Sequence, residues 1–123
     1  MSASDEAVRH AAELYVAAWN ENDPEALKEI LSLCWRREGV IRSNFETING
    51  RAALYDRIRH FRAERPRDRA YLTSPVKIHN GWFFFEAQVE RPDTSQYSRA
   101  IEIGEVGDDG LICRITTFHP SAA

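Results

Sequence analysis

"LYVAAWNENDPEAL", residues 14–27, decides how the first half of the chain folds. Upstream of it and into it, Val8, Ala11, Ala12, Tyr15, Ala18 and Trp19 recur at helical spacing with polar residues opposite, which predicts an amphipathic helix. The motif "NENDPEALKEIL" then stops that helix and starts another. Asp23 has the side chain of an N-cap, Pro24 suits the first helical position, and Glu25 complements the helix dipole. Leu27, Ile30 and Leu31 give the second helix its buried face. The stretch therefore predicts a helix–turn–helix opening whose inner stripe carries a phenol.

Working outward, "CWRREGVIRS" suggests a short strand at Val40 and Ile41, and "NFETING" a loop closed by Gly50. A third helix is predicted from about Arg51 to Glu64, with Leu54, Ile58 and Phe61 inward, and Pro66 stops it. Everything beyond looks like sheet. "AYLTSPVKIH" is one strand, with a bulge or an edge at Pro75. Asn80–Gly81 is a hairpin turn signal, and "WFFFEAQVE" is a strongly β-prone strand. "RPDTSQ" is a loop; "YSRAIEIGEV" and "LICRITTFH" are two further strands joined by "GDDG". Three helices followed by a run of antiparallel strands predict an α+β fold, with the helices covering one face of a curved antiparallel sheet. Such a cone can keep an open central pocket between its layers.

The 123 residues allow one domain, 1–123, with a real core, and are too few for two. The net charge of −3 gives no global basic field to attract nucleic acid or a membrane. No apolar run approaches the roughly 18 residues of a membrane span, and the polar, acidic "MSASDEAVRH" does not read as a signal peptide. Cys34 and Cys113 have neither CxxC spacing nor a histidine at ligand spacing, and read as reduced thiols of a cytoplasmic protein. No metal site and no cofactor are expected, because phosphate loops and ligand clusters are both missing from the sequence. "RIRHFRAERPRDR", residues 57–69, holds six arginines but only one interleaved aromatic, and reads as a solvated face.

The order and spacing of "AAWNENDPEAL", "INGRAAL" and "DDGLICRITTF", from about Val8 to His119, resemble the SnoaL-like branch of the nuclear-transport-factor-2-like superfamily. The resemblance implies a cystatin-like α+β roll. The superfamily hosts polyketide cyclases, ketosteroid isomerases, epoxide hydrolases and dehydratases, so the fold does not give the function. The nearest enzyme pattern is that of the ketosteroid isomerases, which need a carboxylate base and two donors that stabilise an enolate oxygen. What the resemblance implies is Tyr15 as one donor and Glu102, in "RAIEIGEV", as the other. It places the base at Ser43, and a serine cannot serve near neutral pH without a group to activate it.

Each candidate has a bland and a functional reading. Tyr15 is either a core aromatic with a satisfied hydroxyl or a donor pointing into the cone. Glu102 is either on the solvent side of its strand or inside, where desolvation would raise its pKa. Glu86 poses the same question. Trp82, Phe84, Glu86 and Gln88 share one face of their strand; Phe83, Phe85, Ala87 and Val89 share the other, which is the safer core face. The mixed face suits a ligand pocket or a dimer interface across the sheet. His119 and His79 are the candidate replacement bases, since imidazole changes protonation near neutrality. His119 ends the last strand, near where SnoaL-like cyclases carry an acid–base aspartate. Arg42, if directed inward, would pair with an anionic ligand. Trp19, Trp35, Arg42, Ser43, Phe61, Trp82, Phe84 and Glu86 are thus the expected ligand-binding residues, and Tyr15, Glu102 and His119 the catalytic ones.

Three readings of function remain open on the sequence. One is a cofactor-independent isomerase, cyclase or lyase acting on a small, largely apolar carbonyl compound. The second is a module that holds a small molecule without turning it over. The third is a structural dimer whose cone is filled by Trp19, Trp35, Phe61 and Trp82. A homodimer through the sheet is expected in each.

Overall fold

The computed structural model describes residues 3–93 and 96–120, with the backbone alone at Gln96 and Tyr97. Helix α1 spans Asp5–Ala18. Its N-cap is Ser4, whose hydroxyl accepts from the Ala7 amide at 3.1 Å, and Asp5 and Glu6 oppose the dipole in its first turn. Helix α2, Pro24–Cys34, starts as its sequence demands: the Asp23 carboxylate accepts from the Ala26 amide at 2.8 Å and Pro24 follows. Between them Asn20 behaves like a piece of strand. Its side-chain amide donates to the Ala70 carbonyl and accepts from the Ala70 amide, both at 2.7 Å.

Helix α2 passes directly into β1, Trp35–Arg42. Then come β2 (Thr47–Asn49), α3 (Arg51–Glu64), β3 (Arg69–Leu72), β4 (Lys77–His79), β5 (Trp82–Arg91), β6 (Gln96–Val106) and β7 (Ile112–Phe118). The strands form a curved, unclosed sheet in the order β2-β1-β7-β6-β5-β3, with β4 also on β5. The α+β architecture is the one expected, with three corrections. The sheet is mixed rather than wholly antiparallel, because β1 runs parallel to β7, with Ile41 opposite Ile115. Thr47–Asn49, inside the expected loop, pairs with β1. "AYLTSPVKIH" is two strands, both antiparallel to β5. Between them the Thr73 amide donates to the Glu86 carbonyl and the Glu86 amide to the Ser74 hydroxyl, which staples the break at Pro75 to β5. The expected loop 91–96 lies partly outside the described residues.

The Asn80–Gly81 hairpin is as its residues predict, with both residues at positive φ and His79 directly opposite Trp82. One face of β5–β6–β7 packs on the helices. Phe83 and Phe85 stack there at 5.6 Å, and Ile112 and Ile115 of β7 are buried. Gly104 is fixed by that packing: a Cβ there would come within 2.2 Å of the Phe83 ring. The arginine-rich run is not simply a solvated face. Arg62 is 3% exposed, and its guanidinium donates to the carbonyls of Trp19, Pro66 and Asp68 and to the Asn22 side chain. It thereby ties the α1–α2 turn to the α3–β3 loop. Asp68 is 2% exposed and held by Arg65 at 3.2 Å and Arg91 at 3.6 Å.

Candidate functional site

Between α1, α3 and the inner face of the sheet lies a cavity of about 520 Å³. Tyr15, Trp19, Ser43, Phe61, Glu102 and His119, six of the residues singled out in the sequence, line it. The register of the sheet explains how three of them come together. Glu102 on β6 is the direct partner of Phe85 on β5 and of Thr117 on β7. All three point inward. His119 follows Thr117 by two residues and so returns to the same face, diagonal to Glu102. Such diagonal positions are roughly 7–8 Å apart on an antiparallel pair.

Glu102 is the unusual group. It is 7% exposed, and the Thr117 hydroxyl donates to its Oε2 at 2.5 Å. Burial disfavours the carboxylate and pushes its pKa from the usual 4.5 to about 7, while the Thr117 hydrogen bond works the other way. Near neutral pH the carboxyl is thus protonated part of the time, and a neutral carboxyl can donate. Tyr15 is 3% exposed, stacked on Trp35 at 5.5 Å and met edge-on by Trp19 at 6.5 Å. Burial first, and then the charge of Glu102, hold its phenol well above the usual range, against a hydrogen bond from the Trp19 side chain. Tyr15 is therefore a permanent O–H near a carboxyl that is neutral part of the time. Two donors in a desolvated, mostly apolar recess can receive an oxygen that gains negative charge.

His119 sits at the rim. Its amide donates to Asn44 Oδ1 at 2.9 Å, its ring lies 5.2 Å from the ring of Phe45, and Nδ1 is 3.4 Å from the Arg99 carbonyl. In the tautomer that donates from Nδ1 to that carbonyl, Nε2 carries the lone pair. Phe45, 70% exposed, also lines the cavity. Ser43, at the position where the resemblance places a base, is committed to its turn: its hydroxyl accepts from the amides of Phe45 and Glu46, both at 3.2 Å. Glu46, next along, pairs with Arg57 at 3.0 Å.

Five expected ligand-binding residues are elsewhere, each for a plain reason. Trp82, Phe84 and Glu86 alternate with Phe83 and Phe85 and so stand on the outer face, where Glu86 pairs with Arg99 at 3.4 Å. Arg42 follows the inward Ile41 and is exposed. Trp35 is fully buried under Tyr15, its indole N–H donating to the Gly39 carbonyl at 3.2 Å, and it is core rather than lining. His79 is exposed at the hairpin, away from the cavity. The four aromatics expected to fill the cone do not meet as a set: Trp19 and Phe61 pack edge to face at 5.6 Å, Trp35 lies beneath, and Trp82 is outside. The cone is open, which overturns the filled-cone reading. Thr117 and Asp68 line the cavity and were not singled out; the alternation of "ICRITTF" contains the first, and nothing local marks the second. Among the described residues no group of three or more His, Cys, Asp or Glu is placed to hold a metal ion, and no helix is long and apolar enough to cross a membrane.

No protein-family model matches the sequence, and no curated protein matches it. Solved structures do. A candidate isomerase of the SnoaL-like family from Agrobacterium tumefaciens is 21% identical, with a TM-score of 0.83 over 92% of this chain and 98% of that one. A candidate ketosteroid isomerase from Kribbella flavida is 21% identical, with a TM-score of 0.72 over 96% and 81%. A nuclear-transport-factor-2-like protein of unknown function from an Exiguobacterium is 13% identical, with a TM-score of 0.74 over 91% and 99%. At these identities the likeness is one of architecture, and it spans nearly the whole of each chain. This chain has the fold of the SnoaL-like and nuclear-transport-factor-2-like proteins.

Proposed function

We propose that the cavity takes a small, largely apolar carbonyl compound and moves a proton on it without a cofactor. The observation that carries this reading is the buried carboxyl of Glu102 sharing an apolar recess with the Tyr15 phenol. The substrate oxygen would sit between these two donors. His119 Nε2 would take a proton from the carbon beside the carbonyl, and the electron pair would move to oxygen as an enolate. Return of the proton to a conjugated carbon completes an isomerisation in which nothing is oxidised or reduced. Solved structures of the same fold named as candidate isomerases are consistent with this class of chemistry. Binding without turnover is the second reading. What favours it is Ser43, whose hydroxyl is spent on its own turn at the position of the missing base.

The test is α-proton exchange of 2-cyclohexenone in deuterated buffer, followed by proton NMR. Catalysis predicts exchange above the buffer rate that declines as pH rises past about 7, where Glu102 loses its proton. Saturable binding of 2-naphthol, a mimic of the enolate, with no exchange of the ketone would leave the binding reading. Neither exchange nor binding would refute both.

The homodimer is also a proposal. Trp82 and Phe118 are exposed on the outer face of the sheet, beside the half-buried Phe84, Ile101 and Ile103. A contiguous aromatic and aliphatic patch of this kind is costly to leave in water. Sedimentation of the purified protein should give twice the chain mass, and Trp82→Arg should return it to the monomer.

A further inference from the structure

A second cavity, about 370 Å³ and open to solvent, lies where α2, α3 and β1 meet. Three cations line it: Lys28 from α2, Arg37 from β1 and Arg51 from the first position of α3. One carboxylate, Asp56, lines it with them. Among the described residues neither Arg37 nor Arg51 forms an ion pair. Lys28 reaches only Glu25, at 4.0 Å, and lies 5.8 Å from the centre of the Tyr55 ring. Three cations beside a single carboxylate leave the cavity with an excess of positive charge, which a bound anion would offset.

Arg51 carries the stronger signal. Its Nε is the one buried side-chain nitrogen or oxygen among the described residues that lacks a hydrogen-bond partner. A buried donor without an acceptor is unfavourable, and native proteins rarely keep one without a use for it. A guanidinium presents its N–H groups as a planar fork that fits two oxygens of a carboxylate or a phosphate. Helix α3 adds to the same need. Gly50 gives it no side-chain cap, and its first turn has no acidic residue to offset the dipole. The rest of the lining is apolar, built from Leu31, Ala52 and the ring of Tyr55.

We propose that this second cavity binds a small organic oxyanion, with its charged head on the guanidinium of Arg51, near Arg37 and Lys28, and its apolar part on Tyr55 and Leu31. It is separate from the carbonyl site and does not rest on it. The site would read a carboxylate or phosphate joined to a ring or short chain.

The test uses phenyl phosphate, benzoate and inorganic phosphate as probes, with the arginine Nε–Hε resonances followed by NMR. Phenyl phosphate or benzoate should shift the Arg51 resonance saturably, and the tighter of the two names the head group. The Lys28→Ala/Arg37→Ala double variant changes partly or fully exposed side chains and should fold normally. It should weaken binding at least about tenfold, as should Arg51→Met. Raised salt should weaken the wild type further. No saturable shift at Arg51, or unchanged affinity in the double variant, would overturn the site. Inorganic phosphate binding as tightly as phenyl phosphate would overturn the assignment of the apolar wall.

Discussion

Glu86 and Glu102 stand on adjacent strands, on opposite faces of one sheet. Glu102 is the cross-strand partner of Phe85, and Glu86 of Ile101. A single step along the strand separates the two environments. Glu86 is half-buried on the outer face and pairs with Arg99. Glu102 faces the helices, with a phenol nearby, a threonine hydroxyl on one oxygen and, among the described residues, no cation pairing with it. The outer carboxylate lies beside an arginine. The inner one is pushed toward its neutral form and becomes a candidate donor. The lesson is that the period of two along a strand assigns chemistry as well as burial.

The sharpest way to break this comparison is to remove the inner donor's partner. Tyr15→Phe should lower ketone proton exchange by about 100- to 1000-fold, the typical effect of losing one donor to a developing oxyanion. It should leave the fold intact by circular dichroism, since the ring stack on Trp35 survives. The second effect is on stability. Because the folded-state pKa of Glu102 lies above its usual value, the native state binds that proton more tightly. Its contribution is full below about pH 4.5, shrinks as pH rises to about 7, and is then lost. The span from 4.5 to about 7 is worth about 3 kcal/mol at about 1.4 kcal/mol per pH unit. Glu102→Gln should flatten that part of the denaturant-measured stability profile and be the more stable protein at pH 8.

A smaller effect sharpens the inner face itself. Gly104→Ala drives a methyl group into the Phe83 ring and should cost about 1–3 kcal/mol in chemical denaturation. The smallest effect belongs to the outer carboxylate. Glu86→Gln loses an exposed ion pair and should change stability by less than about 1 kcal/mol, with no change in exchange rate. A large loss of activity in that variant would mean that the two faces are not independent.

Much of this comparison is legible in the chain before any coordinates. The helix opening at residues 14–27 follows from local chemistry: Asp23 caps, Pro24 starts, and the stripe from Val8 to Ala18 is buried as its spacing requires. The third helix likewise runs from Arg51 to Glu64, and the inner face of β5 follows from the alternation of its aromatics. The face taken by Glu102 is not legible, because "RAIEIGEV" alternates equally well either way until Phe85 and Thr117 fix its register. The parallel pairing of β1 with β7 joins strands about seventy residues apart, and nothing local encodes it. Arg62 and Asp68 escape for a related reason. Each is buried by partners that come from elsewhere in the fold, the turn after α1 for Arg62 and β5 for Asp68, while their own neighbours in sequence are polar. The places of Trp35 in the core and of Arg42 in solvent are not legible either, because residue type alone does not say whether a large side chain lines a hollow or supports its wall.

The most direct measurement is a carbon-detected NMR titration of the Glu102 side-chain carboxyl in the intact protein. The account predicts a midpoint near pH 7, moving when Thr117 is replaced by Val, which removes the hydrogen bond that favours the charged form. A midpoint at the ordinary glutamate value of about 4.3 would place that carboxyl in water and contradict the two-donor recess.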